Sequence, residues 1–324
     1  MAEGVRLSER IIPTPRSVSP EAQAFLALDH PPMPALPALE DKAAWRAFID
    51  DLNEKWAAEL RNRITNLDVR VERRVIAGVP VYVAEPRLVP EKNRDKAVLF
   101  FHGGALVVMG GECASHFSVI EAASTQCRVF GVDYRNPPDH PYPAALDDSV
   151  AVYRELLESY PPSRLVFTGA SGGGNLAAAV PLKVRDLGMP LPAAVGLFTP
   201  EVDLTESGDT FQTNRDIDVV LPTGIPIHIA LYADGHDLRD PYVSPLLGDF
   251  TKGFPPTFIQ SGTRDLFLSN SVRMHRALRR AGVDAELHVG EAMPHGGFGG
   301  APEDQELREE FLRFLARTAD WALP

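Results

Sequence analysis

The chain has 324 residues, of which 44% are hydrophobic and 23% are charged, enough to fill one large α/β domain or two smaller ones. Its 44 acidic residues outnumber the 32 Lys and Arg, and the net charge of −12 argues against a nucleic-acid partner because phosphates would be repelled. The only cysteines, Cys113 and Cys127, form no CxxC or Cys/His pattern, which argues against a disulfide framework or structural zinc and favours a reducing compartment.

The first 20 residues contain no apolar core followed by a small-residue cleavage site, so we expect no signal peptide. No uninterrupted apolar run approaches about 20 residues, the length that would span a bilayer. We therefore expect a cytoplasmic protein without a membrane span.

Residues 1–66 are rich in proline and in helical patterns. In the stretch 39–64, LEDKAAWRAFIDDLNEKWAAELRNRI, apolar residues recur every three or four positions, which predicts an amphipathic helix. We interpret 1–66 as the N-terminal part of a helical cap. An extended N-terminal tail is the alternative.

Residue 67 begins an alternation of strand and helix patterns. The stretch VRVERRVIAGVPVYVAEP predicts a hairpin that turns at Ala77-Gly78. Short apolar runs follow at 96–101, 128–134, 164–168, 193–199, 256–262 and 285–289. Predicted helices lie at 115–126, 144–159, 173–187, 269–281 and 304–321. Buried strands that alternate with amphipathic helices predict an α/β fold, with a mainly parallel twisted sheet covered by helices on both faces.

Residues 204–240 break this alternation because they are too long for a simple connection between strands. We interpret them as a second cap insertion. The core is then divided into a first part, 67–203, and a second part, 241–324.

A single serine lies in the Gly-rich turn GASGG, residues 169–173, between a predicted strand and a predicted helix. This is the G-x-S-x-G pattern, in which a sharp turn exposes a serine hydroxyl as a nucleophile. Side chains at the flanking glycines would collide with the strand and the helix. The alternative is a phosphate-binding or simple Gly-rich turn, but no Walker lysine is present. We therefore predict that Ser171 is a catalytic nucleophile.

A serine nucleophile needs a base and an acid that orients the base. Of the nine histidines, His295 follows the last predicted strand in the Gly-rich loop GEAMPHGGFGG. Asp265 follows the strand before it, and the order Ser171, Asp265, His295 is that of α/β-hydrolase triads. Asp203, which comes just after the strand 193–199, remains an alternative acid.

The stretch HGG, which begins at His102, follows the strand 96–101. Lipases and esterases place an oxyanion loop there, so we predict that the backbone N–H groups of Gly103, Gly104 and Gly172 form the oxyanion hole. His102 is an alternative base, although a histidine before these glycines more often braces the loop through hydrogen bonds.

Together these motifs resemble those of the hormone-sensitive-lipase-like α/β-hydrolases of the bacterial carboxylesterase type, over about residues 65–320. The similarity extends to VDYRNPPDHPYPAALDD and DPYVSPLLGDF. The resemblance implies a helical cap, no metal or organic cofactor, and hydrolysis of short- to medium-chain carboxylic esters through an acyl-enzyme. It also implies a homodimer formed near the edge of the last strand.

Four positions depart from the family pattern. Ala105 replaces the third glycine of HGGG, and Ala170 and Gly172 replace Asp and Ala of G-D-S-A-G. Glu201 stands where S-P-W-x-D has an aromatic residue. Alanine at position 105 would be strained if that site requires a positive φ. These departures put the identity of the substrate in doubt.

We predict a serine carboxylesterase that acts on a small-molecule ester, with Leu106, Val107 and Phe211 as candidate substrate contacts. Each of these three side chains could equally be plain cap packing. A lactone, amide or carbamate hydrolase with the same triad is an alternative. A non-catalytic ligand-binding protein of this fold is another, but it would leave the triad unexplained.

Overall fold

The computed structural model describes residues 4–5, 9, 11–28 and 34–323, so the predicted segment 1–66 lies partly outside the described residues. Eight strands form one sheet in the order β1-β2-β4-β3-β5-β6-β7-β8. The strands are β1 Val69–Ile76, β2 Val79–Pro86, β3 Ala97–Phe101, β4 Arg128–Val132, β5 Leu165–Ala170, β6 Ala194–Phe198, β7 Thr257–Gly262 and β8 Ala285–Gly290. β2 runs antiparallel to both β1 and β4, and the other neighbouring strands are parallel. The prediction of a mainly parallel sheet is confirmed.

The described helices are α1 Pro20–Leu26, α2 Lys42–Ile64, α3 Glu112–Thr125, α4 Ala144–Leu156, α5 Gly172–Asp186, α6 Thr210–Thr213, α7 Pro226–Ala233, α8 Leu268–Arg280 and α9 Pro302–Thr318. Six of them, α2, α3, α4, α5, α8 and α9, lie close to predicted positions, whereas the sequence patterns assigned no positions to α1, α6 and α7. None of the helices in the described ranges is both long enough and apolar enough to cross a membrane.

The first two strands form the predicted hairpin. Ile76 pairs with Val79, so only two residues make the turn. Ala77 and Gly78 have φ values of 49° and 81°, as expected for a two-residue turn that follows the right-handed twist of the strands. The hairpin extends the sheet on the β4 side, away from the strands that lead to the triad.

The central strands are buried on both faces. In β5, Phe167 belongs to the hydrophobic cluster that includes residues of α4, α5 and α8, while Val166 belongs to the cluster that includes residues of α9. Because both faces pack against helices, these strands are continuous apolar runs rather than alternating ones. Because β5, β7 and β8 all run in the same direction, their carboxyl ends meet at one edge of the sheet, where ligands bind in such folds.

The N-terminal helix α2 packs against the 204–240 insertion. The ring of Trp45 lies 5.8 Å from that of His228 in α7, in an edge-to-face arrangement. Trp45 also clusters with Leu231 and with Val107 and Val108 of the loop after β3. These contacts bring the two predicted cap segments together beside that loop. Their role as a cap remains a prediction.

Candidate active site

Ser171 lies between the end of β5 and the start of α5, at the sharp turn that the sequence predicts. Its φ of 55° and ψ of −123° are unfavourable for a residue with a side chain. Two hydrogen bonds hold this conformation: the Ser171 N–H donates to Phe198 O at 2.9 Å, and the Glu201 N–H donates to Ser171 O at 3.1 Å. The turn therefore fixes the direction in which the serine hydroxyl leaves the backbone.

The flanking glycines are required by close approach of the backbone. A Cβ on Gly169 would lie 2.1 Å from the carbonyl oxygen of Gly173, and a Cβ on Gly173 would lie 2.1 Å from that of Phe101. Both distances are far inside van der Waals contact. Only glycine fits at these two positions, because any side chain would collide with the neighbouring backbone, as predicted from the sequence.

The structure brings Ser171, His295 and Asp265 together. His295 Nε2 lies 2.9 Å from Ser171 Oγ, and His295 Nδ1 lies 3.1 Å from Asp265 Oδ1. A carboxylate can only accept, so Nδ1 carries the proton and Nε2 is free to accept from the serine hydroxyl. Asp265 is completely buried and His295 is only 9% exposed. The arrangement can transfer a proton from Ser171 to His295.

The predicted oxyanion donors border the same serine. A Cβ on Gly103 would lie 3.6 Å from the Ser171 Cβ. Gly104 has a φ of 109°, and its carbonyl oxygen accepts from both Val107 N and Val108 N at 2.9 Å, which closes a tight turn. Throughout the described chain, the backbone N–H groups of Gly103, Gly104 and Gly172 donate to no acceptor. Their role as oxyanion donors remains a prediction.

A family model described as the α/β-hydrolase fold matches residues 98–298. The chain belongs to the α/β-hydrolase family. An acetyl-hydrolase of Streptomyces hygroscopicus is 34% identical to it over 208 residues, which cover 64% of this chain and 69% of that protein. Carboxylesterase NlhH of Mycobacterium tuberculosis is 30% identical over 244 residues, covering 71% of this chain and 76% of that protein.

Solved structures extend the comparison to nearly the whole chain. The structure of an esterase, E25, has a TM-score of 0.91 and 37% identity, and covers 97% of this chain and 99% of that one. An esterase from the bacterial hormone-sensitive lipase family has a TM-score of 0.76 and 30% identity, with 93% and 99% coverage. The predicted resemblance to hormone-sensitive-lipase-like esterases is confirmed.

Asp265 of this α/β-hydrolase is held by two further donors. Ser261 Oγ donates to Asp265 Oδ2 at 2.6 Å, and the Phe267 N–H donates to Oδ1 at 2.9 Å. The Phe267 ring packs edge-to-face on His295, with 4.8 Å between the ring centroids. These contacts leave the carboxylate and the imidazole little freedom to rotate.

Asp203, the alternative acid, is engaged elsewhere. Its carboxylate pairs with Arg273 at 2.5 Å and accepts from the hydroxyls of Thr205 at 2.6 Å and Ser207 at 2.8 Å. His295 Nδ1–H donates to Asp265 instead. Asp203 thus braces the start of the 204–240 insertion.

His102 braces the oxyanion loop. Its ring stacks on Tyr134, with 4.1 Å between centroids, and its Nδ1–H donates to Gly103 O at 2.7 Å. The Tyr134 hydroxyl donates to His102 O at 2.7 Å. Burial lowers the pKa of His102, so the ring is neutral at pH 7. These contacts fit the bracing role rather than the alternative role of base.

Two residues of the insertion that sequence reasoning missed, Asp218 and Asn214, hold the triad loops. The Asp218 carboxylate accepts the N–H of Leu266 at 2.8 Å and that of His295 at 3.2 Å to each oxygen. The side-chain amide of Asn214 donates to Asp265 O at 2.8 Å. Both are buried polar side chains in NRDID, residues 214–218. The run of polar residues in this stretch was the only local feature of the sequence that pointed to such a role.

Acidic groups around His295, the candidate base, shift its pKa. Burial alone would lower the pKa of His295, but the hydrogen bond and charge of Asp265, together with the charges of Asp218 and Glu201, raise it above its ordinary value. Burial raises the pKa of Asp218, and it raises that of Glu201 to about 8, although the charge of His295 opposes the rise. The site therefore favours the imidazolium that forms when His295 takes the serine proton.

The departures in the oxyanion loop are in contact with each other. Ala105 has a positive φ of 53°, a conformation that strains a residue with a side chain by about 1–2 kcal/mol. A Cβ on Gly172 would lie 2.7 Å from Leu106 N and 3.1 Å from Ala105 Cα. The missing side chain at position 172 thus leaves room for the backbone of the loop at 105–106.

The three candidate substrate contacts are buried side chains. Leu106 and Phe211 belong to the main hydrophobic cluster, and Val107 packs with Trp45. The Phe211 ring lies 5.6 Å from that of Phe267, which in turn contacts His295. Their role in binding substrate remains a prediction. In the part of the chain that the structure describes, no three His, Cys, Asp or Glu side chains are grouped as metal ligands.

Proposed function

We propose that this chain hydrolyses short- to medium-chain carboxylic esters through an acyl-enzyme formed on Ser171. The chain is a carboxylic ester hydrolase of the α/β-hydrolase fold, as its similarity to esterases and carboxylesterases indicates. The observation that carries the proposal is the 2.9 Å contact between Ser171 Oγ and His295 Nε2, with Asp265 at 3.1 Å behind the ring.

In the first step, His295 Nε2 takes the hydroxyl proton while Ser171 Oγ attacks the ester carbonyl carbon. The carbonyl oxygen becomes an oxyanion, and the backbone N–H groups of Gly103, Gly104 and Gly172 donate to it. The imidazolium then gives its proton to the leaving alcohol oxygen as the C–O bond breaks, which leaves an acyl ester on Ser171.

In the second step, His295 takes a proton from water and the resulting hydroxide attacks the acyl carbon. The same N–H groups hold the second oxyanion. His295 returns the proton to Ser171 Oγ, and the carboxylic acid is released. Asp265 stays ionised throughout and stabilises the imidazolium. Residues 1–66 and 204–240 act as the cap over this site, with Leu106, Val107 and Phe211 contributing apolar contacts.

Two further features belong to the proposal. The chain forms a homodimer through β8, which ends the described sheet and offers its outer edge for pairing. It acts in the cytoplasm, which is supported by two free, buried cysteines, Cys113 and Cys127. Light scattering on the purified protein tests the dimer.

Labelling with an organophosphonate tests the nucleophile. We expect a single covalent adduct on the peptide that contains Ser171, found by mass spectrometry, with parallel loss of p-nitrophenyl butyrate hydrolysis. Ser171→Ala should remove both the adduct and the activity. The matched control is Ser159→Ala, which removes an exposed serine after α4 and should label and turn over like the parent. An unlabelled Ser171 in an active enzyme would contradict the proposal.

A further inference from the structure

An unpartnered carboxyl group is buried beside the nucleophile. Glu201 follows β6, and its N–H donates to Ser171 O at 3.1 Å. The residue is 2% exposed. Among the described residues, its Oε2 atom has no hydrogen-bond partner and the carboxyl forms no ion pair. A buried carboxyl without a partner is costly, because it loses the hydrogen bonds that water would provide.

The surroundings of this carboxyl are polar and acidic. When it is ionised, this carboxyl raises the pKa values of Tyr134, Tyr232 and His295. The Tyr232 hydroxyl is also buried without a partner in the described chain. The neighbouring acid, Glu206, differs because its Oε1 already accepts the Ile225 N–H at 2.6 Å.

Buried polar groups in proteins nearly always have a hydrogen-bond partner, and Glu201 Oε2 has none among the described residues. His295 affects the pKa of this carboxyl, but its imidazole is already hydrogen-bonded at both nitrogens, to Asp265 and to Ser171. The Glu201 N–H donates to Ser171 O, so a ligand that reaches Ser171 binds next to residue 201. A hydrogen-bond donor on that ligand would give the carboxyl a partner.

We propose that Glu201 recognises a hydrogen-bond donor, a hydroxyl or an ammonium group, that the ester carries within a few bonds of its scissile carbonyl. This proposal rests on the proposed function, since it assigns the substrate class of the same site. A site built around a buried polar group rejects analogues that lack the matching group far more strongly than an apolar pocket rejects an added one. In this proposal, Glu201 determines which esters the site prefers.

Two sets of isosteric esters test the proposal. The acyl set consists of ethyl 3-hydroxybutanoate, ethyl 3-aminobutanoate and ethyl 3-methylbutanoate; the alcohol set consists of the 2-hydroxyethyl, 2-aminoethyl and propyl esters of butyrate. In at least one of the two sets, acyl or alcohol, we expect kcat/KM to be about tenfold or more higher for an ester that carries a donor than for the isostere that carries a methyl group instead. The hydroxyl and ammonium members show which donor is recognised.

Variants at position 201 then assign the preference to its carboxyl. Glu201→Met should reduce the ratio of donor to methyl ester by about tenfold or more. Glu201→Gln should keep a preference for hydroxyl and lose one for ammonium, because the amide accepts a hydrogen bond but has no charge. The control, Glu206→Gln, changes a nearby carboxyl that already has a donor and should leave the ratio unchanged.

Three results would overturn the inference. In the first, the parent prefers the methyl isosteres in both sets. In the second, Glu201→Met leaves the ratio of donor to methyl ester unchanged. In the third, Glu201→Met and Glu201→Gln lower kcat equally for all esters, which is a structural effect. A parent that does not hydrolyse p-nitrophenyl butyrate or any of the six esters would instead contradict the proposed function. If Glu201→Met does not fold, Glu201→Gln and the ratios of the parent decide the question.

Discussion

The carboxylate of Asp218 accepts the backbone N–H of His295, with 3.2 Å from that nitrogen to each carboxylate oxygen. The same carboxylate accepts the Leu266 N–H, one residue after Asp265. One side chain of the 204–240 insertion thus joins the two loops that carry the candidate base and the candidate acid. The insertion therefore contributes directly to the spacing of the triad.

Replacing Asp218 should weaken catalysis without removing a reacting group. In Asp218→Asn, one acceptor oxygen and the negative charge are lost, so we expect kcat/KM to fall about 10- to 100-fold, in line with a loss of about 1–3 kcal/mol. The exposed Asp216→Asn is the matched control and should behave like the parent. Steady-state kinetics on p-nitrophenyl butyrate measure the effect, and equal rates for all three proteins would contradict the positioning role.

The pH profile should report the raised pKa of His295. His295 accepts the serine proton only when it is neutral, so activity rises with pH as the imidazolium loses its proton. Because the neighbouring acids raise this pKa, the acid limb of kcat/KM should lie above about 6.5, the ordinary value for histidine. Rates for a neutral ester between pH 5 and pH 9 measure it. Asp218→Asn, which removes one negative charge beside His295, should move the limb to lower pH, and a parent limb below pH 6 would contradict this account.

The choice between the two candidate acids can be tested by paired substitutions. Asp265→Asn should lower kcat by about 10⁴-fold, since the amide no longer holds the required tautomer of His295. Asp203→Asn should lower the melting temperature instead, because Arg273 loses its partner, while kcat changes less than tenfold. Kinetics and thermal unfolding on both variants separate the roles. The reverse pattern would make Asp203 the orienting acid.

Glu201 should make stability depend on pH. Its pKa rises from 4.5 to about 8 in the folded protein, so folding favours the protonated form. The stabilisation is complete below the unfolded pKa and is lost as pH rises through about 8. Glu201→Gln cannot ionise, so its advantage over the parent should grow from pH 5 to pH 9, to no more than about 5 kcal/mol. Urea unfolding at several pH values measures it, and a constant difference would argue against a buried acid.

Much of the fold and the triad could be predicted because local rules determine them. The strand runs and the Gly-rich turn at Ser171 follow from burial on both faces and from backbone collisions at Gly169 and Gly173. His295 could be found because it follows the last strand in a Gly-rich loop. These features depend on short stretches of sequence and on the general geometry of parallel sheets.

The supporting residues could not be predicted because they act over long distances in the chain. Asp218 and His295 are 77 positions apart, and their contact depends on how the insertion packs. The sequence showed that Glu201 departs from the family pattern, but the burial of its carboxyl requires three-dimensional packing. Similarly, the φ of Ala105 became evident only with the backbone of the loop.

The contact between positions 105 and 172 predicts that their substitutions are coupled. Gly172→Ala alone places a Cβ 2.7 Å from Leu106 N, which should displace the oxyanion loop and lower kcat by about 10²-fold or more. Ala105→Gly alone should change little, since the strain that it relieves is offset by the added flexibility of the unfolded chain. In the double variant, the loop backbone at position 105 has no side chain and can move away from the new methyl group. We therefore expect the double variant to recover at least about tenfold over Gly172→Ala, and strictly additive effects across the four proteins would show that the two positions are independent.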